Sequence, residues 1–352
     1  MVRKLISLPG TLLAAVAGAG LLARFLPPDV WWPPSIIALL LPGLLVATFI
    51  FAVFCFYRKW RKTAVFPCLI LIAALPITNR LFSFGLGGAE ASGGEKITLV
   101  TTNARGFKND VWSSVEEASA FRFLQQQKPD VLLLQETRHD KYKRPYFEEI
   151  KAASGLNKRH QPTKTTVATY ANELAFIAER FSGPGRYNGF LVTDVETKAG
   201  TVRIINAHLQ SNRISKMAGE IGKDGDVKEE IDRAESMLRS YGASAAIRAS
   251  QAEEIRRFVR ESPHPVIVGG DFNDVPSSYT YQKILTSRLR DAWVVKGFGP
   301  GTTFTGPLPG LRIDFLLVDT SFTINEIERF DTGYSDHLGL RVEIVKQPEI
   351  RR

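Results

Sequence analysis

A chain of 352 residues holds one large domain or two small ones. Net charge is +9, but the surplus is local. Residues 1–90 carry Arg3, Lys4, Arg24, Arg58, Lys59, Arg61, Lys62 and Arg80 against Asp29 and Glu90, which leaves 37 basic and 34 acidic residues downstream. The high isoelectric point is therefore no evidence for a nucleic-acid-binding surface. The only cysteines are Cys55 and Cys68, both in apolar stretches, so the chain has neither a disulfide framework nor a zinc–thiolate centre.

Three apolar segments fill the first 85 residues: about Leu5–Leu26, Ser35–Tyr57 and Ala64–Phe84. Each approaches the roughly 20 residues that cross a bilayer core, and three in succession predict a membrane anchor over residues 1–84. A cleaved signal peptide accounts for the first segment alone. Pro9, Pro42, Pro67 and Pro76 are tolerable inside membrane helices. Trp31 and Trp32, in the loop before the second segment, suit an interfacial aromatic belt. Arg3-Lys4 precedes the first segment, the first loop has no Lys or Arg, and Arg58-Lys59-Trp60-Arg61-Lys62 fills the second. Positive-inside asymmetry then puts the N-terminus and second loop in the cytoplasm and everything after about residue 85 outside it. Gly85–Gly94 reads as a flexible linker, and residues 95–352 as the domain that it tethers.

Lys96–Thr102 alternates as a strand does and delivers Asn103 at its end. Phe121–Gln127 reads as the end of a helix stopped by Lys128-Pro129. Val131–Leu134 follows as a buried strand with Glu136 at its exit, and a carboxylate there offers the hard oxygen that Mg²⁺ prefers. Strand-like runs continue at Thr166–Tyr170, Glu173–Ala178 and Phe190–Val195. Val202–His208 is a strand closed by His208, with Asn206 on the same face. Asn212 to about Arg260 is charged and helical in character, broken at Gly222–Gly225; its first part, 212–242, leaves the strand beside His208 and suits a lid or substrate-selecting insertion.

Pro265–Val268 is a short β-branched run, and Gly269-Gly270-Asp271-Phe272-Asn273-Asp274 comes directly after it. Glycine gives Asp271 and Asn273 close backbone access where the sheet stops. A Pro-Ser-Ser turn and short helix occupy Val275–Leu289, and a Gly/Pro-rich loop occupies Gly297–Gly310. Arg312–Val318 is a strand with Asp314 among apolar neighbours, a carboxylate that needs a partner. His337, in Ser335-Asp336-His337 before the last strand, is the obvious one. Singly, each of these residues has an ordinary structural explanation. Together, Asn, Glu, His, Asp-x-Asn, Asp and Asp-His at six strand-associated sites make a hydrolytic centre.

On these motifs, residues of about 96–345 resemble the endonuclease/exonuclease/phosphatase superfamily, the deoxyribonuclease I-like fold. Gln-Glu-Thr at 135–137, Asn-Ala-His-Leu at 206–209, Gly-Asp-Phe-Asn at 270–273, Arg-Ile-Asp-Phe at 312–315 and Ser-Asp-His at 335–337 carry the likeness in order. The chain also looks like a bacterial, membrane-anchored subgroup. The resemblance implies an α/β fold, a four-layer sandwich of two mainly antiparallel sheets flanked by helices, here preceded by three transmembrane helices. It implies that Asn103 and Glu136 bind the divalent metal, with Asp336 a second ligand or orienting group. Asp271 and His337 jointly supply base chemistry, Asn273 positions phosphate or water, His208 contacts a phosphate oxygen, and Asp314 pairs with His337. The implied cofactor is Mg²⁺, with Mn²⁺ as an alternative, and the implied partners are a phosphodiester substrate and the lipid bilayer.

Superfamily membership leaves the substrate open. A nuclease is favoured by superfamily frequency, whereas the balanced domain charge and the lack of a Lys/Arg–aromatic stripe weigh against it. A phospholipid or head-group phosphodiesterase is favoured by tethering at the outer face of a bacterial inner membrane. A non-catalytic binding module is the remaining reading, and the intact motifs weigh against it.

Overall fold

The computed structural model describes residues 2–88, 91, 93–108, 120–137, 146–182, 186–212, 227–306 and 310–346. Its first elements are α1 (Val2–Leu22), α2 (Pro33–Tyr57), α3 (Arg61–Leu81), β1 (Ser83–Phe84) and β2 (Lys96–Asn103). Next come α4 (Arg122–Gln127), β3 (Val131–Gln135), α5 (Phe147–Ser154), β4 (Lys158–His160) and β5 (Ala168–Ala171). β6 (Leu174–Ser182), β7 (Asn188–Thr197), β8 (Gly200–His208), α6 (Val227–Glu261), β9 (Val266–Asp271) and α7 (Tyr279–Ile284) follow. The chain ends with β10 (Leu289–Asp291), α8 (Ala292–Lys296), β11 (Phe298–Gly299), β12 (Asp314–Asp319), β13 (Phe322–Phe330) and β14 (Gly339–Lys346). Two units result. Met1–Phe82, Asn212–Ser250 and Asp274–Lys283 form one, and Ser83–Ser211, Gln251–Asn273 and Ile284–Arg352 form the other.

In the first unit α2 and α3 are long and apolar enough to cross a membrane, while the apolar part of α1, Ile6–Leu22, is shorter. The first predicted span reached Leu26, but α1 closes at Leu22 in turns at Gly20–Phe25, and Pro27-Pro28 prevents its continuation. The helices close-pack around Leu21, Leu41, Ala74 and Ile77. α6 joins this unit through its N-terminal part. At Gly242 a Cβ would lie 2.7 Å from the Trp32 ring, so only glycine permits this approach. Trp32 therefore packs on a helix. A fully buried ion pair, Arg248 Nε to Asp274 Oδ2 at 3.1 Å, fastens the chain that follows β9 to α6.

The second unit contains two six-stranded sheets, ordered β10-β12-β9-β8-β7-β6 and β13-β14-β2-β3-β5-β4. Alternation decides which way each strand faces. Ile97, Leu99, Val131 and Leu133 meet Val202, Ile204, Ile267, Leu316 and Val318 between the sheets. Val100, Leu132, Leu134 and Tyr170 point the other way, onto Phe123 and Leu124 of α4 and Ile150 of α5. Phe258 of α6 covers the outer face of the other sheet, edge-on to Phe190 at 5.9 Å. Two sheets flanked by helices are the expected mixed α/β sandwich. Pairing is antiparallel except for β2–β3 and β8–β9. The β8–β9 crossover is the 35-residue helix α6, in keeping with the long connection that parallel strands need.

Several stretches depart from the sequence reading. Ser83–Phe84, read as the end of the third apolar segment, is instead a strand paired with Phe298–Gly299, and part of the segment read as a linker is held, Gly87 N–H donating to Val295 O at 2.9 Å. β13 carries no clear sequence mark because a bulge between Ile324 and Glu326 breaks its alternation. The predicted break at Gly222–Gly225 and most of the first half of the 212–242 insertion lie outside the described residues.

Candidate active site

The parallel pairs bring four strand ends to one edge. Asn103 at the end of β2 lies opposite Gln135 at the end of β3, and His208 at the end of β8 lies opposite Asp271 at the end of β9. Antiparallel β12 starts at that edge, with Asp314 paired to Asp271. β8 and β9 approach so closely that a Cβ on Gly270, whose φ is +124°, would sit 2.0 Å from Ala207 O. The second glycine of the Gly-Gly-Asp motif is thus required by the sheet itself.

Asp271 is the hub. Its Oδ2 accepts from Asn103 Nδ2 at 3.1 Å and lies 3.8 Å from Nε2 of both His208 and His337. Its Oδ1 accepts the Asn273 N–H at 2.8 Å. Asn103 Nδ2 also donates to Glu136 Oε1 at 3.2 Å, while Asn103 Oδ1 accepts the Arg105 N–H at 3.0 Å. Asn103 therefore turns its nitrogen, as assigned, toward two carboxylates. Glu136 and Asn273 hold φ of +46° and +52°, in the left-handed region that asparagine tolerates and a glutamate occupies only when its surroundings fix it. Asn273 Nδ2 donates to Leu209 O at 3.0 Å.

Each imidazole is anchored at Nδ1. His208 Nδ1 meets Tyr187 O at 3.1 Å; a carbonyl only accepts, so that nitrogen carries the proton and Nε2 faces Glu136 Oε1 at 3.6 Å. His337 Nδ1 meets Asp314 Oδ2 at 2.9 Å. Phe304 lies edge-on to His337 with ring centroids 5.2 Å apart. Thr303 Oγ1 accepts the N–H groups of both Ile313 and Asp314 at 3.0 Å, and Ser335 Oγ accepts the His337 N–H at 3.1 Å while donating to Asn103 O at 2.7 Å.

Burial disfavours a charged His337, but Asp314 and Asp271 beside it prevail and push it up to about 10. Asp271 is raised above the usual carboxylate range, first by burial and also by Asp314, against the pull of His337, His208 and the Asn273 N–H. At neutral pH the site thus contains an imidazolium beside a carboxylate that holds a proton more readily than an ordinary aspartate.

Of the residues singled out from sequence, Asn103, Glu136, His208, Asp271, Asn273, Asp314 and His337 converge. Asp336 lies apart from their hydrogen bonds: its carboxylate is 3.7 Å from Arg105 Nε, and its carbonyl accepts from Thr305. Sequence reasoning missed Thr303, Ser335 and the Tyr187 carbonyl, because hydroxyls and backbone groups carry no distinctive spacing. It also missed that Asn206 ties the sheets together. Asn206 Oδ1 accepts from Gln135 Nε2 at 2.7 Å and its Nδ2 donates to Ala168 O at 2.9 Å, all within the core.

The model of the Endonuclease/Exonuclease/phosphatase family matches residues 100–337, which takes in every motif just described. The chain belongs to that family. Members of the family hydrolyse phosphoester bonds and generally require a divalent metal. A second model, of a domain of unknown function, matches residues 3–81. The comparison with curated proteins finds no match. Among solved structures, the chain is similar to an endonuclease/exonuclease/phosphatase from Beutenbergia cavernae at 17% identity, covering 71% of this chain and 72% of that one with a TM-score of 0.46. It is similar to the human Nocturnin catalytic domain at 15% identity, covering 72% and 95% with a TM-score of 0.48. Danio rerio TDP2 with a single-strand DNA product stands at 15% identity, 71% and 99% coverage and a TM-score of 0.47.

The residues present suit a cation. Donor atoms of Asp271, Asp314 and His337 lie within 4.8 Å of one another, but the His337 imidazolium has no lone pair to give, so the donors are carboxylate oxygens, among them buried Asp314 Oδ1, which has no hydrogen-bond partner among the described residues. Glu136 adds a half-exposed carboxylate facing the same Asn103 nitrogen as Asp271. Carboxylate oxygens are the donors a hard divalent ion takes.

Proposed function

We propose that this protein is a membrane-anchored, Mg²⁺-dependent phosphodiesterase, with Mn²⁺ able to replace Mg²⁺. The observation that supports it is the buried Asp314–His337 pair whose Nε2 faces Asp271 at 3.8 Å, at the sheet edge that also presents Asn103 and Glu136. Glu136, and Asn103 with its amide turned so that Oδ1 rather than Nδ2 faces the carboxylates, would hold the metal, with Asp336 as an outer orienting group; when bound, the metal would supply positive charge to the phosphate oxygens.

The chain's own residues do the rest. Asp271 accepts the proton of the attacking water, helped by a basicity that burial raises. His337, kept cationic by Asp314, donates from Nε2 to the phosphate or its leaving oxygen. His208, its Nδ1 committed to Tyr187, presents Nε2 to a phosphate oxygen, and the amide of Asn273 orients water or phosphate.

Two substrate classes fit: a nucleic-acid phosphodiester, the commoner one for such a site, and a phospholipid head group. The second is favoured by one observation: tethering, since α2 and α3 are long and apolar enough to cross a membrane. In this reading α1–α3 lie in a bacterial inner membrane with the catalytic residues outside the cytoplasm. The deciding experiment uses full-length protein in detergent, wild type beside His337→Ala, titrated with Mg²⁺ or Mn²⁺ against plasmid DNA, RNA and phospholipid vesicles. Metal-dependent cleavage of one class, lost in the variant, supports the reading and selects the substrate. A folded wild type that cleaves none of them overturns it for these classes.

A further inference from the structure

In the second unit, the short ribbon of β1 and β11 is built inside out. Alternation along Ser83–Gly88 turns Ser83, Gly85 and Gly87 inward and Phe84, Leu86 and Gly88 outward. Ser83 carries the one polar side chain of that run, and it is buried, donating from Oγ to Val294 O at 3.0 Å. Phe84 is 53% exposed and Leu86 88%. The facing run repeats the pattern: Gly297 and Gly299 are buried, while Phe298, 70% exposed, and Pro300 face out. A strand with one face in water does the opposite, burying its apolar residues and exposing its polar ones.

Close packing fixes the inner side. A Cβ on Gly87 would lie 2.7 Å from Val295 O, and one on Gly297 would lie 2.4 Å from the Trp293 ring. The side chains that the ribbon does carry therefore stand on its outer side. Phe84 is paired directly with Phe298, which puts their Cβ atoms roughly 5 Å apart. Leu86 follows two residues on, so the three make one apolar patch rather than scattered singles.

Charge and chain connection say what covers that patch. Residues 83–88 and 292–301 contain no acidic residue, and their only charge is Lys296, whose Nζ donates to Gly88 O at 3.0 Å. Phenylalanine and leucine beside a lysine are the side chains that enter the headgroup boundary of a bilayer. Leu81 ends α3, and Phe84 is three Cα steps further on, a reach of at most about 11 Å. Where α3 crosses a membrane, covalent connection alone keeps this ribbon at the lipid boundary.

We infer that the outer face of Phe84, Leu86 and Phe298 is a membrane-contact surface, its occupant the headgroup–acyl boundary of the bilayer. The pattern lies wholly within the second unit. Its occupant rests on the membrane-anchor part of the proposed function and is independent of hydrolysis. A free tether needs no such face; here the tethered unit has an apolar surface of its own with which to meet the lipid.

The test uses full-length protein with Cys55→Ala and Cys68→Ala, reconstituted into vesicles of phosphatidylcholine and phosphatidylglycerol. Single variants Phe84→Cys, Leu86→Cys and Phe298→Cys carry a nitroxide, whose collisions with lipid-soluble oxygen and with a water-soluble nickel complex are compared. Gln126→Cys, on the exposed side of α4, is the aqueous control, and Ile72→Cys, exposed on α3, reports the span. Three ribbon positions keep the test decisive should one variant fail to fold. The ribbon labels are expected to lose nickel collisions and keep oxygen collisions, as the Ile72 label does, while the Gln126 label meets nickel freely. Ribbon labels that meet nickel as freely as Gln126, with Ile72 in lipid, overturn the inference and leave the anchor standing. Ribbon labels shielded from both reagents overturn it in favour of a second copy of the chain. An Ile72 label in water overturns the anchor reading and takes the lipid occupant with it.

Discussion

His337 Nδ1 lies 2.9 Å from Asp314 Oδ2, with both side chains buried, and this pair sets the proton chemistry of the site. Because Asp314 and Asp271 push the imidazole up to about 10, His337 is a cation throughout the physiological range. Asp271, raised by burial, must lose its proton to act. The kcat/KM profile should therefore be bell-shaped, with an acid limb above the ordinary carboxylate value and an alkaline limb near about 10. Both limbs belong to the coupled group. Asp314→Asn should move the alkaline limb down and lower kcat by about 10²–10⁴-fold. Initial rates from pH 5 to 10.5 read both effects, and an unmoved alkaline limb removes His337 from the role of acid.

Stability should follow the same pair. The folded-state value of His337 is raised above its unfolded 6.5, so the group contributes its full stabilisation below about 6.5 and loses it as pH rises through about 10. Tm of the wild type should fall over that window. In Asp314→Asn the fall should be smaller, because the raising carboxylate is gone.

Glu136→Gln keeps the shape of the side chain and removes its charge. Metal affinity measured by titration calorimetry should drop about tenfold or more, as for loss of a carboxylate oxygen from a hard-ion site. Unchanged affinity would take Glu136 out of the metal shell.

Asn206→Ala should destabilise without altering proton chemistry. It leaves the amide of Gln135 and the Ala168 carbonyl short of a partner in the core. The cost is about 1–3 kcal/mol, read as a lower Tm with both limbs of the pH profile in place.

Orientation is tested by a reporter fused after Arg352. An alkaline-phosphatase fusion should be active and a cytoplasmic reporter silent. The reverse pattern overturns the membrane topology read from the basic loop Arg58–Lys62.

The sequence determined the strand ends and their chemistry. Asn103, Glu136, His208, Asp271, Asp314 and His337 were visible because each follows, opens or interrupts an apolar run, and period-two alternation is a local property that a short window reveals. The apolar helices were legible for the same reason, length and composition being local. Only the tertiary structure decided which residues share a hydrogen bond. Asp336 turned to Arg105, Asn206 became a tie between sheets, and hydroxyls of Thr303 and Ser335 took up site-building roles, since a polar side chain's partner depends on strands far away in sequence.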